Sequence, residues 1–415
     1  MKSKVKTFFF LTLTLALALL AACGPPPGEV EGHYNTGVGL QEQGDFEEAI
    51  AAYEEVIRLD PEHARAYNNR GVAYLELGQL ERAIKDYDEA ISLDPNYAQA
   101  YNNRGLAYFN LGLFENAVKD FNEAIRLNPR YADAYNNRGL AYLELGQLER
   151  AIKDYDEAIS LDPQYAQAYS NRGVAYLELG QLERAIKDYD EAISLDPNYA
   201  QAYNNRGLAY FNLGQFVNAL KDFDEAIRLD PGHARAFNNR GLAYFNLGLF
   251  ENAVKDFNEA IRLNPRYADA YNGRGLAYFN LGQFVNALKD FDEAIRLDPG
   301  HARAFNNRGY TYLNTDIFQL AITYFSEAIR LDPNYARAYN NRGGVYASLS
   351  QFENAVKDFS DAIRLDPEYA KAYSDRALAY TVMGKHVEAQ QDIDRAVELG
   401  ADRTLLMEEI GKFRK

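Results

Sequence analysis

Few side chains in this sequence are of a type that does chemistry, and the spacing of those few argues against it. The histidines are His33, His63, His233, His301 and His386. A metal or acid–base site needs such groups to converge. Yet His63, His233 and His301 share one sequence column with Tyr97, Tyr131, Tyr165 and Tyr199, and a column that accepts either ring is a packing column. No zinc-type spacing, glycine-rich phosphate loop or nucleophile elbow is present. The acids recur regularly, Glu115 standing four residues before Lys119, Glu149 before Lys153 and Glu183 before Lys187. That is the spacing of helix-surface pairs, each worth about 0.2–0.5 kcal/mol. No catalytic residue, metal ligand or small-molecule cofactor is therefore expected, and the chain is not expected to be an enzyme. Two candidates remain, a single cysteine, Cys23, and a recurring asparagine. An amide both donates and accepts, so a row of amides could pair with the main chain of an extended peptide without demanding one sequence.

The elements that must position these residues are set by a period. Prolines stand at Pro61, Pro95 and every 34 residues on to Pro367, and a period of that length signals a repeat architecture. With Ala98 as column 1, one unit runs to Tyr131, and the same frame opens at Val30, Ala64, Ala132, Ala166, Ala200, Ala234, Ala268, Ala302, Ala336 and Ala370. From Ala98 to about Leu111 the residues Tyr101, Gly105, Leu106, Tyr108 and Phe109 recur at helical spacing until Gly112 interrupts. A second apolar run from Phe114 to Leu127 is stopped by Asn128-Pro129, because proline lacks an amide hydrogen and restricts the residue before it. Each unit is then a thin antiparallel helical hairpin that buries its apolar face only by stacking on its neighbours.

The column pattern Tyr101, Gly105, Tyr108, Ala117, Phe121, Ala124 and Pro129 resembles that of the tetratricopeptide repeat family. This resemblance covers eleven units and implies an all-α, right-handed superhelical solenoid with a concave groove. It further implies that the column Asn35, Asn69, Asn103, Asn137, Asn171, Asn205, Asn239, Asn307 and Asn341 lines that groove as a peptide-binding ladder, beside Leu106, Leu140, Leu208 and Leu242. Alternatively, these asparagines are solvated or bond a neighbouring helix. A further column with Glu76, Asn110, Glu144, Glu178 and Asn212 would make the groove mildly acidic and partly apolar. Family members that clamp a C-terminal carboxylate use lysines at positions that here hold Asn102, Asn136 or Asn204, so that activity is not expected. The family's aliphatic column is occupied by Arg104 and its equivalents from Arg70 to Arg376. In nine of ten units an Asp stands in the second helix, as with Arg104 and Asp120, and an inter-helix ion pair is expected; Arg308 meets Tyr324 instead.

Lys2, Lys4 and Lys6 precede an apolar run from Phe8 to Ala22 that ends in Leu20-Ala21-Ala22-Cys23. This resembles a bacterial lipoprotein signal, in which the cysteine receives lipid and becomes the new N-terminus. The resemblance implies membrane anchoring through Cys23, each buried methylene contributing roughly 0.8 kcal/mol. Gly24 rather than Asp after it implies the outer membrane, facing the periplasm. Pro25, Pro26 and Pro27 stiffen a tether with a reach of roughly 20 Å. The expected layout is thus a signal peptide over 1–22, lipidated cysteine and tether over 23–29, eleven repeats over 30–401 and a capping helix over 402–415. The net charge of −16 argues against nucleic acid and anionic lipid faces as partners.

Repeats nine to eleven break the pattern. Tyr310 and Gly344 replace the aliphatic column, Asp316 and Ser350 the turn glycine, and Asp375 the asparagine, as either a partner-specific site or a decaying end would. After them Asp402 can cap a last helix in which Leu406, Ile410 and Phe413 share a face. The expected function is that of a lipid-anchored adaptor in the bacterial envelope, holding peptide segments of envelope proteins in its groove. The alternatives are a structural spacer, or an accessory subunit recruiting a cell-wall enzyme.

Overall fold

A computed structural model describes residues 28–412. The leader, Cys23, residues 24–27 of the tether, Phe413, Arg414 and Lys415 lie outside the described residues, while Glu29, expected in the tether, opens the helix Glu29–Gln43. Among the described residues there are 23 helices, packed in consecutive pairs, and no strands.

The third repeat shows how a pair forms. Its first helix, Ala98–Asn110, ends where Gly112 turns left-handed at φ 73°. The Leu113 N–H donates to Tyr108 O at 2.9 Å and the Gly112 N–H to Phe109 O at 2.9 Å, which is the glycine-dependent helix stop that satisfies carbonyls left open by the last turn. The second helix, Phe114–Leu127, ends at Asn128, held extended at φ −132°, ψ 89° by the proline that follows. The Asn128 side chain accepts from the Arg130 N–H at 3.2 Å, closing the turn into the next repeat.

Close approach of the two helices depends on Gly105, where a Cβ would lie 2.6 Å from Phe121 Cε1. Phe121, Ala117 and Ala124 are fully buried. The cluster of Ala117 and Phe121 is completed by Ala141 from the next repeat, just as Ala107 completes that of Ala83 and Tyr87. No hairpin therefore owns a whole core, and stacking follows from that deficit. At the far end Ala377 and Ile393 replace the glycine and its aromatic, and Leu406 and Ile410 cover them. Those two belong to the last helix, Arg403–Gly411, which Asp402 caps by accepting from the Thr404 and Leu405 N–H groups.

Within each of two compact parts of the chain, first helices of successive repeats touch one another, whereas second helices do not. The first helices therefore form the crowded inner face. The chain divides into two compact units, Met1–Asn198 and Tyr199–Lys415. Repeats one to five fall in the first; repeats six to eleven and the last helix fall in the second.

Candidate interaction surface

The asparagine column has a different task from the one expected. Asn103 Nδ2 donates to Asn68 Oδ1 at 3.0 Å, Asn137 to Asn102 at 3.1 Å and Asn171 to Asn136 at 2.9 Å. Asn69 donates to the Tyr34 hydroxyl at 3.0 Å. In the second unit Asn239 donates to Asn204, Asn307 to Asn272 and Asn341 to Asn306. Each amide thus reaches the neighbouring column of the preceding repeat and zips the first helices together. Asn103 and Asn137 are 9% exposed, and at that depth an amide needs a protein partner. For these seven asparagines the hydrogen bonds match the alternative reading, a bond to a neighbouring helix. Asn35 is exposed on the first repeat, and half-buried Asn205 accepts from Gln201 Nε2 and Asn204 Nδ2.

Within the second unit the zipper has two defects, and each leaves an orphan. Gly273 stands where an asparagine would meet Asn238, and Asn238 Oδ1 is buried without a partner. Asp375 cannot donate, so the bond reverses. Asn340 Nδ2 donates to Asp375 Oδ2 at 2.9 Å and Asn340 Oδ1 is left unpartnered.

The expected Arg–Asp pair is present in all nine repeats that carry it. Arg104 grips Asp120 with Nε at 2.7 Å and Nη2 at 2.8 Å, while its Nη1 reaches Asp88 of the preceding repeat at 2.6 Å. One guanidinium therefore fastens its own hairpin and the one before, in the forked geometry that arginine favours. Burial pushes the Asp256 carboxyl up and Arg240 pulls it back. The Asp256 bond, over the opposing effect of burial and with help from Asp224, raises Arg240 further. In repeat nine Arg308 lies 4.2 Å over the Tyr324 ring, its Nε buried and unpartnered. A ring face attracts the cation but cannot accept two N–H bonds.

The tyrosine/histidine column is a packing column with a second use. His63, His233 and His301 accept the N–H groups of Ala66, Ala236 and Ala304 through Nδ1, capping the first helices. Among the described residues no cluster of His, Cys, Asp and Glu could hold a metal ion, and no helix is long and apolar enough to cross a membrane.

The face left for a partner is the outer part of the first helices. Leu106, Leu140, Leu208 and Leu242 are half-buried there, with Leu106 and Leu242 packed partly on the core. In the second unit this face opens into two cavities. One of about 500 Å³ is lined by Leu242, Leu276, Arg303, Asn307, Arg337 and Tyr369 among others. Another of about 570 Å³, mostly apolar, is lined by Leu313, Gly344, Ser348, Phe352, Leu378 and Val382 among others. A Cβ at Gly344 would meet no atom within 4 Å, so the loss of an aliphatic side chain there leaves open space. Gly344 was singled out by sequence as a departure from its column, whereas Gly273 and the Arg303–Arg337 pair were not. The signal that could have found them is the set of departures within single columns.

Stacked helical hairpins with an inner face of first helices define a repeat scaffold for binding other chains. Models of the tetratricopeptide repeat match residues 34–98, 238–302 and 277–336, 106–146, 139–180 and 174–214, 200–233 and 336–369, and 86–119. Together they span most of the chain, which belongs to the tetratricopeptide repeat family. No curated protein sequence matches the chain. Among solved structures, that of the APC/C hetero-tetramer Cut9–Hcn1 is similar at a TM-score of 0.54 and 15% identity, over 97% of this chain and 99% of that one. Yeast Tom70 is similar at 0.49 and 17%, over 92% and 94%. A tetratricopeptide repeat protein from Parabacteroides merdae is similar at 0.49 and 23%, over 60% and 98%. The likeness to Cut9–Hcn1 is one of fold. The fold is that of a protein-interaction scaffold, and no enzyme family is indicated.

Proposed function

We propose that this protein is a non-enzymatic adaptor, held by lipid on Cys23 to a bacterial envelope membrane, the outer membrane facing the periplasm. Its first-helix face receives extended segments of envelope proteins. The observation that carries the reading is the pair of cavities on that face of the second unit. A pure spacer has no use for open space inside a stack otherwise closed by its amide zipper, and its length alone would matter. An accessory role, recruiting a cell-wall enzyme, is one form of the same adaptor.

Asn246 and Asn280 are exposed in the column that also holds Ser348 and Val382. Replacing both by Arg should leave helix content intact while envelope proteins cross-linked in intact cells, identified by mass spectrometry, fall away. Unchanged cross-links, with graded tolerance to deletion of one 34-residue unit, would favour the spacer. Cys23→Ser should move the protein out of the membrane fraction; retention there would remove the anchor.

A further inference from the structure

His63, His233 and His301 cap the first helices that follow them, which Tyr97, Tyr131 and Tyr165 in the same column do not. At His233 the cap is one link of a longer chain. The Ala236 N–H lies 3.4 Å from His233 Nδ1 while donating also to the His233 carbonyl at 3.0 Å. A ring that accepts through Nδ1 carries its proton on Nε2, and Nε2 stands 3.1 Å from Gln201 Oε1. Gln201 Nε2 donates in turn to Asn205 Oδ1 at 2.8 Å, Asn204 Nδ2 donates to the same oxygen at 3.2 Å, and Asn239 Nδ2 returns to Asn204 Oδ1 at 3.1 Å. The chain of bonds therefore runs from repeat seven to repeat six and back, and one neutral tautomer of His233 completes it. The first helix of repeat seven depends on this side, because Gly273 offers Asn238 no amide on the other.

A second proton on the ring would sit on Nδ1 and point at the Ala236 N–H. It would also place a cation at the helix end where the dipole is already positive. Burial, the largest influence, lowers the His233 pKa; Asp230 in the turn before it acts against this, and Arg235 in its own first turn adds to it. The preceding first helix, Ala200–Asn212, presents neutral Gln201, and the column neighbours Tyr199 and Tyr267 are uncharged at neutral pH and below. His301 repeats the cap at 3.3 Å, but its Nε2 meets a carboxylate, Asp269 Oδ1, at 3.2 Å. Asp298, Asp332 and Arg303 line the same cavity as that pair.

We propose that His233 is a proton-operated latch between repeats six and seven: its neutral ring ties the two first helices together, and its protonation at mildly acidic pH loosens that joint. The joint of repeats eight and nine holds, because Asp269 balances the charge that His301 gains. A group whose pKa is lowered on folding binds its proton better in the unfolded chain. The stability tied to His233 is therefore fully present above the ordinary histidine value of about 6.5 and falls as the pH drops below it. The latch stands apart from the adaptor reading and needs no partner.

The test uses the full chain. Titration of the imidazole Hε1 signals by NMR, assigned through single His→Tyr replacements, should give His233 an apparent pKa below about 6.5. Between about pH 7.5 and about pH 5.5, hydrogen exchange in Ala200–Asn212 and Ala234–Asn246, corrected for intrinsic rate, should quicken about threefold, the scale of a charge at a helix end. Ala268–Asn280 and Ala302–Leu313, joined through Asp269 and His301, should change less. His233→Tyr installs the common residue of the column, so folding is preserved, and it should abolish the pH effect. Gln201→Asp copies the pairing of Asp269 with His301 and should shrink the effect, and Asp269→Gln should create it at the joint of repeats eight and nine. A His233 pKa at or above about 6.5, or quickening that survives His233→Tyr, would overturn the proposal. So would a pH effect of equal size at both joints of the unaltered chain.

Discussion

The two units are built from the same repeat yet differ in how completely the amide zipper and the Arg–Asp clips are closed. In the first, the amide zipper runs unbroken from Tyr34 to Asn171, and the four clips from Arg70 to Arg172 are all closed. Its outer column is acidic, with Glu42, Glu76, Glu144 and Glu178 exposed. In the second, the zipper has two orphans, Arg308 keeps Asp292 of the preceding repeat but lacks a carboxylate in its own hairpin, and Asp316 and Ser350 hold φ near 60° where glycine stands in other repeats. The same column carries no acid there, being Asn212, Asn246, Asn280, Asn314, Ser348 and Val382. The two cavities lie among the repeats where these internal bonds fail. Stability has been given up on one unit, and a surface suited to a partner stands in the same place, which weighs against simple decay of the last repeats.

This contrast can be broken or sharpened by substitution. The largest effect is expected from Phe121→Ala, about 3–5 kcal/mol. Hydrogen exchange should show residues 98–144 losing protection, because the cluster includes Ala141 of the next repeat. Asn137→Ala orphans Asn102 Oδ1 and should lower stability by about 1–3 kcal/mol, giving the first unit the defect that the second has at Asn238. In the opposite sense, Asp375→Asn supplies a donor for Asn340 Oδ1 and should raise stability by about 1 kcal/mol. Asp316→Gly and Ser350→Gly should each gain about 1 kcal/mol by removing a side chain from the left-handed region. The smallest change, a gain of at most about 1 kcal/mol, is expected from Tyr87→Phe and Tyr155→Phe, whose hydroxyls are buried without partners. Chemical denaturation with hydrogen exchange resolves these by unit; a loss from Asp375→Asn would refute the account of the zipper.

Period, helix boundaries and hairpin stacking were legible in the sequence because glycine, alanine and proline carry them by backbone and size alone. Arg104 and Asp120 were legible as a pair because both columns are charged, and the one exception, Tyr324, is where the structure also departs. The asparagines were legible as a ladder but not in their role. A row of amides facing a ligand and a row bonding the next helix have the same period, and only the offset of 35 rather than 34 residues distinguishes them. The doublets Asn102-Asn103 and Asn136-Asn137 were the available signal, since donor and acceptor columns must both be polar. The apolar cavity was legible only as the departure at Gly344, because it arises from a side chain that is missing; the other cavity, lined by residues of several columns, was not legible.

The central claim is that partners are held on the first-helix face of the second unit. Photo-cross-linking in intact cells tests it most directly, with a benzophenone amino acid placed either at Ser348, which lines the apolar cavity, or at Val285, which is 69% exposed on a second helix. The account predicts a discrete cross-linked partner from Ser348 and none from Val285. Adducts of equal yield from both positions, or from Val285 alone, would contradict it.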